Sequence, residues 1–204
     1  MPPNAEETCR RLIASAERLF AERGVDGVSL REINANAGQR NTSALQYHFG
    51  DRAGLLRAVL ARHQPGIEEH RHRLLDACRP GSLRDLAAAL VRPEAAKLAD
   101  GRDYLRIVEQ LVQRGQPAAD PGHSVNRWRS MVASRLSPEA IRLHQRFMAI
   151  RVTYVELARR ASAPPARSEE LFTSHLIDVV TAVLAAEVSE ETAALMSARD
   201  AGSR

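Results

Sequence analysis

Aromatic residues are scarce, at 4% of the chain, and Lys97 is the single lysine among 29 basic residues that are otherwise all arginine. A β-sandwich or barrel needs runs of Val, Ile, Thr and aromatics, so a chain this rich in Ala and Leu favours helices packed on helices. Cysteine is limited to Cys9 and Cys78. Two cysteines make no disulfide framework and match no metal-ligand spacing, so both read as reduced thiols. Apolar runs such as Leu86–Val91 fall far short of the roughly 20 residues that span a bilayer. The opening Met1–Glu7 has no basic stretch and no apolar core behind it, so no secretory signal is expected. The expectation is a cytoplasmic protein with no membrane partner.

The chemistry of catalysis is missing too. No Gly-x-Gly occurs, nor any Gly-x-x-x-x-Gly-Lys, which excludes the dinucleotide fingerprint and the phosphate loop. A Gly-x-Ser-x-Gly elbow for acyl transfer is absent. The seven histidines form no His-Glu-x-x-His, and His70 and His72 stand two apart, on diverging faces of a helix. Neither an enzyme, a metal site nor a cofactor is expected.

What is present is an ordinary globular composition, 44% hydrophobic and 26% charged over 204 residues. That is enough for one domain, or for a small module fused to a larger one. The net charge of +4 is a mild basic excess, although guanidinium forks suit phosphate better than a point charge does. Apolar residues recur at helical spacing throughout, punctuated by Gly and Pro. The first helix is expected over Ala5–Arg23, with Gly24 as its cap. Ser29-Leu30-Arg31-Glu32 is a capping box that opens a second helix, ending at Gly38. A third begins at Asn41 or Thr42 and runs to His48, and Asp51 caps a fourth that Pro65-Gly66 ends or kinks. Longer helices follow over Ile67–Arg79, Ser82–Ala99, Asp103–Arg114, Ser124–Leu136, Pro138–Ala161 and Arg167–Glu187, with a tail helix from Ser189. The expected fold is all-α, with an N-terminal module of short helices over 5–64 and a larger helical body over 65–200.

The second and third helices, joined by Gly38-Gln39-Arg40, make a helix-turn-helix pattern. An αα-corner would look the same in outline. Composition favours the DNA-binding reading, because helix three offers Thr42, Ser43, Gln46 and Tyr47 and no carboxylate. Short polar side chains reach base edges, and carboxylates would be repelled by phosphate. Arg40 and Arg52 flank that helix, placed to meet phosphate.

The text of Arg11–Val59 resembles the DNA-binding module of the tetracycline-repressor (TetR) family of bacterial regulators. The matching segments are Leu19-Phe20-Ala21-Glu22-Arg23-Gly24, Ser29-Leu30-Arg31-Glu32-Ile33, Ala37-Gly38, Tyr47-His48-Phe49-Gly50-Asp51-Arg52 and Leu55-Leu56. The chain departs from the family's commonest spacing by one extra residue between Gly38 and Tyr47, and by Asn34 and Asn36 where small apolar residues are usual; both asparagines read as surface positions. The resemblance implies that helix three reads the major groove and that Tyr47 touches phosphate. It also implies that His48 and Phe49 close the helix on its core, and that Ser29 and Arg52 meet phosphate from helix starts. Gln46 is the candidate base reader.

For the body, the resemblance implies effector binding and dimerisation through the last long helices. Ile141, Met148, Val152 and Val155 on one helix, with Leu176, Val180 and Val183 on the next, are the expected dimer residues, since a helix apolar on two faces must bury both. Tyr104, Ile107 and Leu111 share a face, as do Trp128 and Met131; they suit a ligand cavity, and they suit a plain core equally. The expected function is a homodimeric repressor released from a palindromic double-stranded operator by a small-molecule effector. The alternative is an architectural or activator DNA-binding protein with no effector.

Overall fold

The computed structural model describes residues 5–39, 43–115 and 123–202. Among these it contains twelve α-helices, one 3-10 turn and no strand. In the N-terminal part α1 covers Ala5–Arg23, α2 Leu30–Asn36, α3 Ser43–Phe49 and α4 Arg52–Ala61. The first helix has the expected bounds, buries Leu12, Ala16, Leu19 and Phe20, and ends at Gly24 with φ +87°. The capping box forms: the Glu32 N–H donates to Ser29 Oγ at 3.2 Å and the Ser29 N–H to Glu32 Oε2 at 2.8 Å. Asp51 caps α4 through Gly54 N–H at 2.7 Å. The expected caps Asn41 and Thr42 of α3 lie outside the described residues.

The remaining helices are α5 (Gln64–Asp76), α6 (Leu83–Ala95), α7 (Arg102–Gln113), α8 (His123–Ala133), α9 (Pro138–Arg142), α10 (Gln145–Ser162), α11 (Glu170–Ala185) and α12 (Glu190–Gly202). Two boundaries differ from expectation. Pro65-Gly66 does not end a helix; the chain breaks earlier, at Arg62-His63, and Pro65 sits in the first turn of α5, where its missing N–H leaves no bond unmade. The expected helix Pro138–Ala161 is two, because His144 adopts φ +57° and interrupts the ladder. Pro93 lies inside α6 without ending it.

One contiguous set of buried side chains runs from Leu12 in α1 to Leu184 in α11. Within it α7 packs against both α1 and α10, while α11 lies on α6 and α10. No single helix among the described residues is long and apolar enough to cross a membrane. The cysteines are free and half-buried.

Candidate nucleic-acid interface and a buried polar centre

Helix α3 is held from below and bare above. Leu45 is buried against α1 and α4, and Phe49 is half-buried on the same core. Gln46 is exposed, and Tyr47 is the most exposed large hydrophobic side chain at 86%. A phenol of that size held in water has no packing reason to be there. His48 is half-buried, its ring 5.1 Å from Tyr47 in a T-shaped contact. Arg40 and Thr42, and the side chain of Ser43, lie outside the described residues.

Two residues, Asn34 and Arg52, behave differently from expectation. Asn34 is not at the surface: it is 2% exposed, and its Nδ2 donates to the Gln39 carbonyl at 3.2 Å, closing the turn before α3. Asn36 is exposed as expected, yet its Oδ1 accepts from Ser15 Oγ at 3.1 Å and from Arg18. Arg52 is half-buried, with Nη1 donating to the Val25 carbonyl, so it braces α4 against the α1–α2 loop rather than standing free for phosphate. Gly54, which pattern reading passed over, is required by contact. A Cβ there would stand 1.9 Å from the Phe49 carbonyl oxygen, so only glycine lets α4 lie against the end of α3. Ser29 and Arg31 are both exposed at the start of α2, where the helix dipole is positive.

Residues 12–59 match the model of the family described as bacterial regulatory proteins, tetR family. The chain carries the DNA-binding module of the TetR family. The module is a helix-turn-helix formed by α2 and α3. Beyond it the likeness is one of fold. The structure of AmtR from Mycobacterium smegmatis aligns at TM-score 0.53 and 21% identity, over 92% of this chain and 91% of that one. A gamma-butyrolactone receptor described as ArpA-like aligns at TM-score 0.51 and 20% identity, over 88% and 97%. No curated protein matches.

In the body of this TetR-like fold, the expected pocket residues are core. Tyr104, Ile107, Leu111 and Trp128 are buried and Met131 is half-buried. Periodicity did not reveal the polar cluster that Tyr104 belongs to. Arg71 and Glu94 are 1% and 2% exposed, and Arg71 Nη2 donates to Glu94 Oε1 at 2.6 Å. Tyr154 donates to the same oxygen at 2.8 Å and Tyr104 to Oε2 at 3.3 Å. The other guanidinium groups donate to Ser124 Oγ at 3.2 Å and the Ala89 carbonyl at 3.3 Å. Burial, and then the Glu94 carboxylate, push both phenols well above their usual value. Each therefore stays a neutral donor. Burial works against the Arg71 charge, but the attraction of Glu94 outweighs it and the guanidinium is raised. Trp128 Nε1 donates to the Leu86 carbonyl at 2.8 Å, one turn along α8 from Ser124.

The expected partner-facing residues divide. Leu176 and Val180 are sealed in the chain's own core, because α11 turns that stripe onto α6 and α10; they present nothing to a partner. Ile141, Val152 and Val183 are half-buried, while Met148 and Val155 stand 49% and 39% exposed on α10. Phe147 and Leu171 add exposed apolar surface. Arg129 and Arg146 sit over the Phe147 ring at 5.6 and 5.4 Å.

Proposed function

We propose that this chain is a homodimeric repressor that binds a palindromic operator and is released from it by a small-molecule effector bound in the helical body. The observation that carries the DNA-binding half is α3, with Gln46 and Tyr47 open to solvent on a helix fixed by Leu45 and Phe49. Tyr47 contacts phosphate and Gln46 reads a base edge, its amide suited to adenine. Ser29 and Arg31 offer donors at the start of α2. Arg52 acts from behind, setting the angle of α4.

Dimerisation is supported by the line Met148, Val152, Val155 on α10, which repeats at i, i+4 and i+7 and stays partly or wholly exposed. Single exposed apolar side chains are normal; a helical line of them is a contact surface. Effector binding is supported by the convergence of Arg71, Glu94, Tyr104, Tyr154 and Ser124. Polar groups converging inside apolar walls are what orients a small ligand. Domain limits of 5–64 and 65–200 fit this division of labour, with His63 at the joint.

The deciding experiment is capture of genomic fragments by the purified protein, followed by sequencing. An inverted repeat is expected, with half-sites about 34–36 Å apart, one turn of DNA or a multiple of it. Recovery of DNA without any common sequence would overturn the reading.

A further inference from the structure

The α4–α5 joint holds a buried titratable pair that neither DNA reading nor core packing accounts for. His63 is 6% exposed and Glu17 8%. His63 Nε2 donates to Glu17 Oε1 at 2.8 Å, across 46 residues of sequence. A carboxylate oxygen only accepts, so Nε2 is the donor of this bond. On its other side the His63 ring stacks on Tyr104 at 4.6 Å between centroids. The close fit depends on Gly101, where a Cβ would stand 3.2 Å from the ring. Tyr104 in turn donates to Glu94, the acceptor that Arg71 and Tyr154 share.

These contacts form a continuous line from α1 through the joint and α7 to the polar centre. Beside it lies a cleft of about 540 Å³ lined by residues including Arg18, Asn36, Arg62, Asp103 and Glu17. A second tie lies further along α7. Gln110 Nε2 donates to the Phe20 carbonyl and its Oε1 accepts from Val25 N–H, both at 3.2 Å.

We infer that Glu17, His63 and Tyr104 form a latch that fixes the tilt of the DNA-binding module on the body, and that Glu94 sets the latch through the Tyr104 hydroxyl. These are positioning residues; none of them touches DNA. The inference rests on the reading above for the role of the polar centre. A ligand that takes Glu94 away from Tyr104 frees the ring on which His63 is stacked, and the module loses its fixed angle. Two modules must meet two half-sites at once, so a loosened angle weakens operator binding and spares non-specific binding, which follows charge.

The test compares His63→Leu, Tyr104→Phe and the double variant on the operator selected by the wild type and on random DNA of equal length. His63→Leu should weaken operator binding by about 5–150-fold, the range of ordinary allosteric coupling, with random-DNA affinity unchanged. Tyr104→Phe keeps the ring and loses only the tie to Glu94. It should weaken operator binding less, and the double variant should bind no worse than His63→Leu, because Tyr104 acts through His63. Equal losses on both DNAs, or effects that simply add, would overturn the latch. Hydrogen exchange across residues 60–67 tests it without DNA: both single variants should exchange faster there, and unchanged exchange would overturn it too. If the wild type selects no operator, the repressor reading fails, and the exchange result still decides the latch.

Discussion

In α1–α4 the interior is filled chiefly by Leu12, Phe20, Ile33, Leu45 and Leu55, whereas α5–α10 close around Arg71, Glu94, Tyr104 and Tyr154 as well as Leu and Val. The first interior is chiefly apolar, with three short helices packed on the long α1 and caps at Ser29 and Asp51. The second keeps an ion pair where hydrophobic residues of similar volume would often be as stable or more so. The proposed function asks for a stiff first part and a responsive second part, and the two interiors differ in that direction.

The sharpest way to break this comparison is to remove one member of the buried pair. Glu94→Leu leaves Arg71 charged and enclosed, and should cost about 3–5 kcal/mol of unfolding free energy. Arg71→Met combined with Glu94→Leu should restore most of that loss, as measured by urea unfolding. If the double variant is as unstable as the single, the centre is a structural requirement and its retention says nothing about function.

The next effect belongs to the module. Gly54→Ala forces a methyl against the Phe49 carbonyl at 1.9 Å, and overpacking of this kind costs about 1–3 kcal/mol. Because the clash sits between α3 and α4, the variant should lose operator binding at temperatures where the body remains folded. Circular dichroism and DNA titration on one sample would show it. A variant as stable and as tight-binding as wild type would mean that α4 has freedom the packing denies.

How much of this was legible in the sequence follows the same divide. The module could be read because its information is local: Ser29 and Glu32 are three apart, Gly38 and Gly50 mark turns with φ +71°, and Leu45 and Phe49 share a face. Asn34 was misread because its partner, the Gln39 carbonyl, sits across a turn that side-chain type does not announce. In the body, Arg71, Glu94 and Tyr154 come from three helices and meet only in space. Arg71 in particular looks like one more solvated arginine in Glu68-Glu69-His70-Arg71-His72-Arg73. Val180 was assigned outward because α11 is apolar on several lines, and periodicity alone does not say which line meets the chain's own core. At His144 no sequence rule breaks a helix, yet the backbone turns left-handed there.

The outward face of α10 sharpens the comparison at a smaller scale, since it concerns association rather than folding. Sedimentation should give about twice 22.5 kDa for the wild type. Val155→Arg should shift the mass toward that of one chain at micromolar concentration and leave the melting of the isolated chain unchanged, because residue 155 is 39% exposed. A variant that stays dimeric would move the interface elsewhere.

The smallest effect is a matter of pH and compares one helix-capping carboxyl in each region. In the body, Asp85 accepts from Arg79 Nε and Nη2, both at 2.8 Å, and from the Arg79 N–H at 3.0 Å. The Arg79 side chain first, and then its N–H, hold the Asp85 carboxyl well below its ordinary value. In the module, the Ser29 N–H and then its hydroxyl hold Glu32 below its own. For both groups the folded value is depressed, so as pH falls the unfolded chain takes up the proton first. The stability each contributes is complete above the unfolded values, about 3.9 for Asp and 4.3 for Glu, and drains away below them toward the folded values. The difference in melting temperature between wild type and Asp85→Asn should therefore be constant from pH 7 to about pH 5 and shrink below about pH 4. Glu32→Gln should follow the same course. Asp85 is half-buried and Glu32 exposed, each in the first turn of a surface helix, so the differences stay small and salt weakens them. A difference for Asp85→Asn that persists undiminished at pH 2 would show that the carboxylate's charge is not what ties Arg79 to the start of α6.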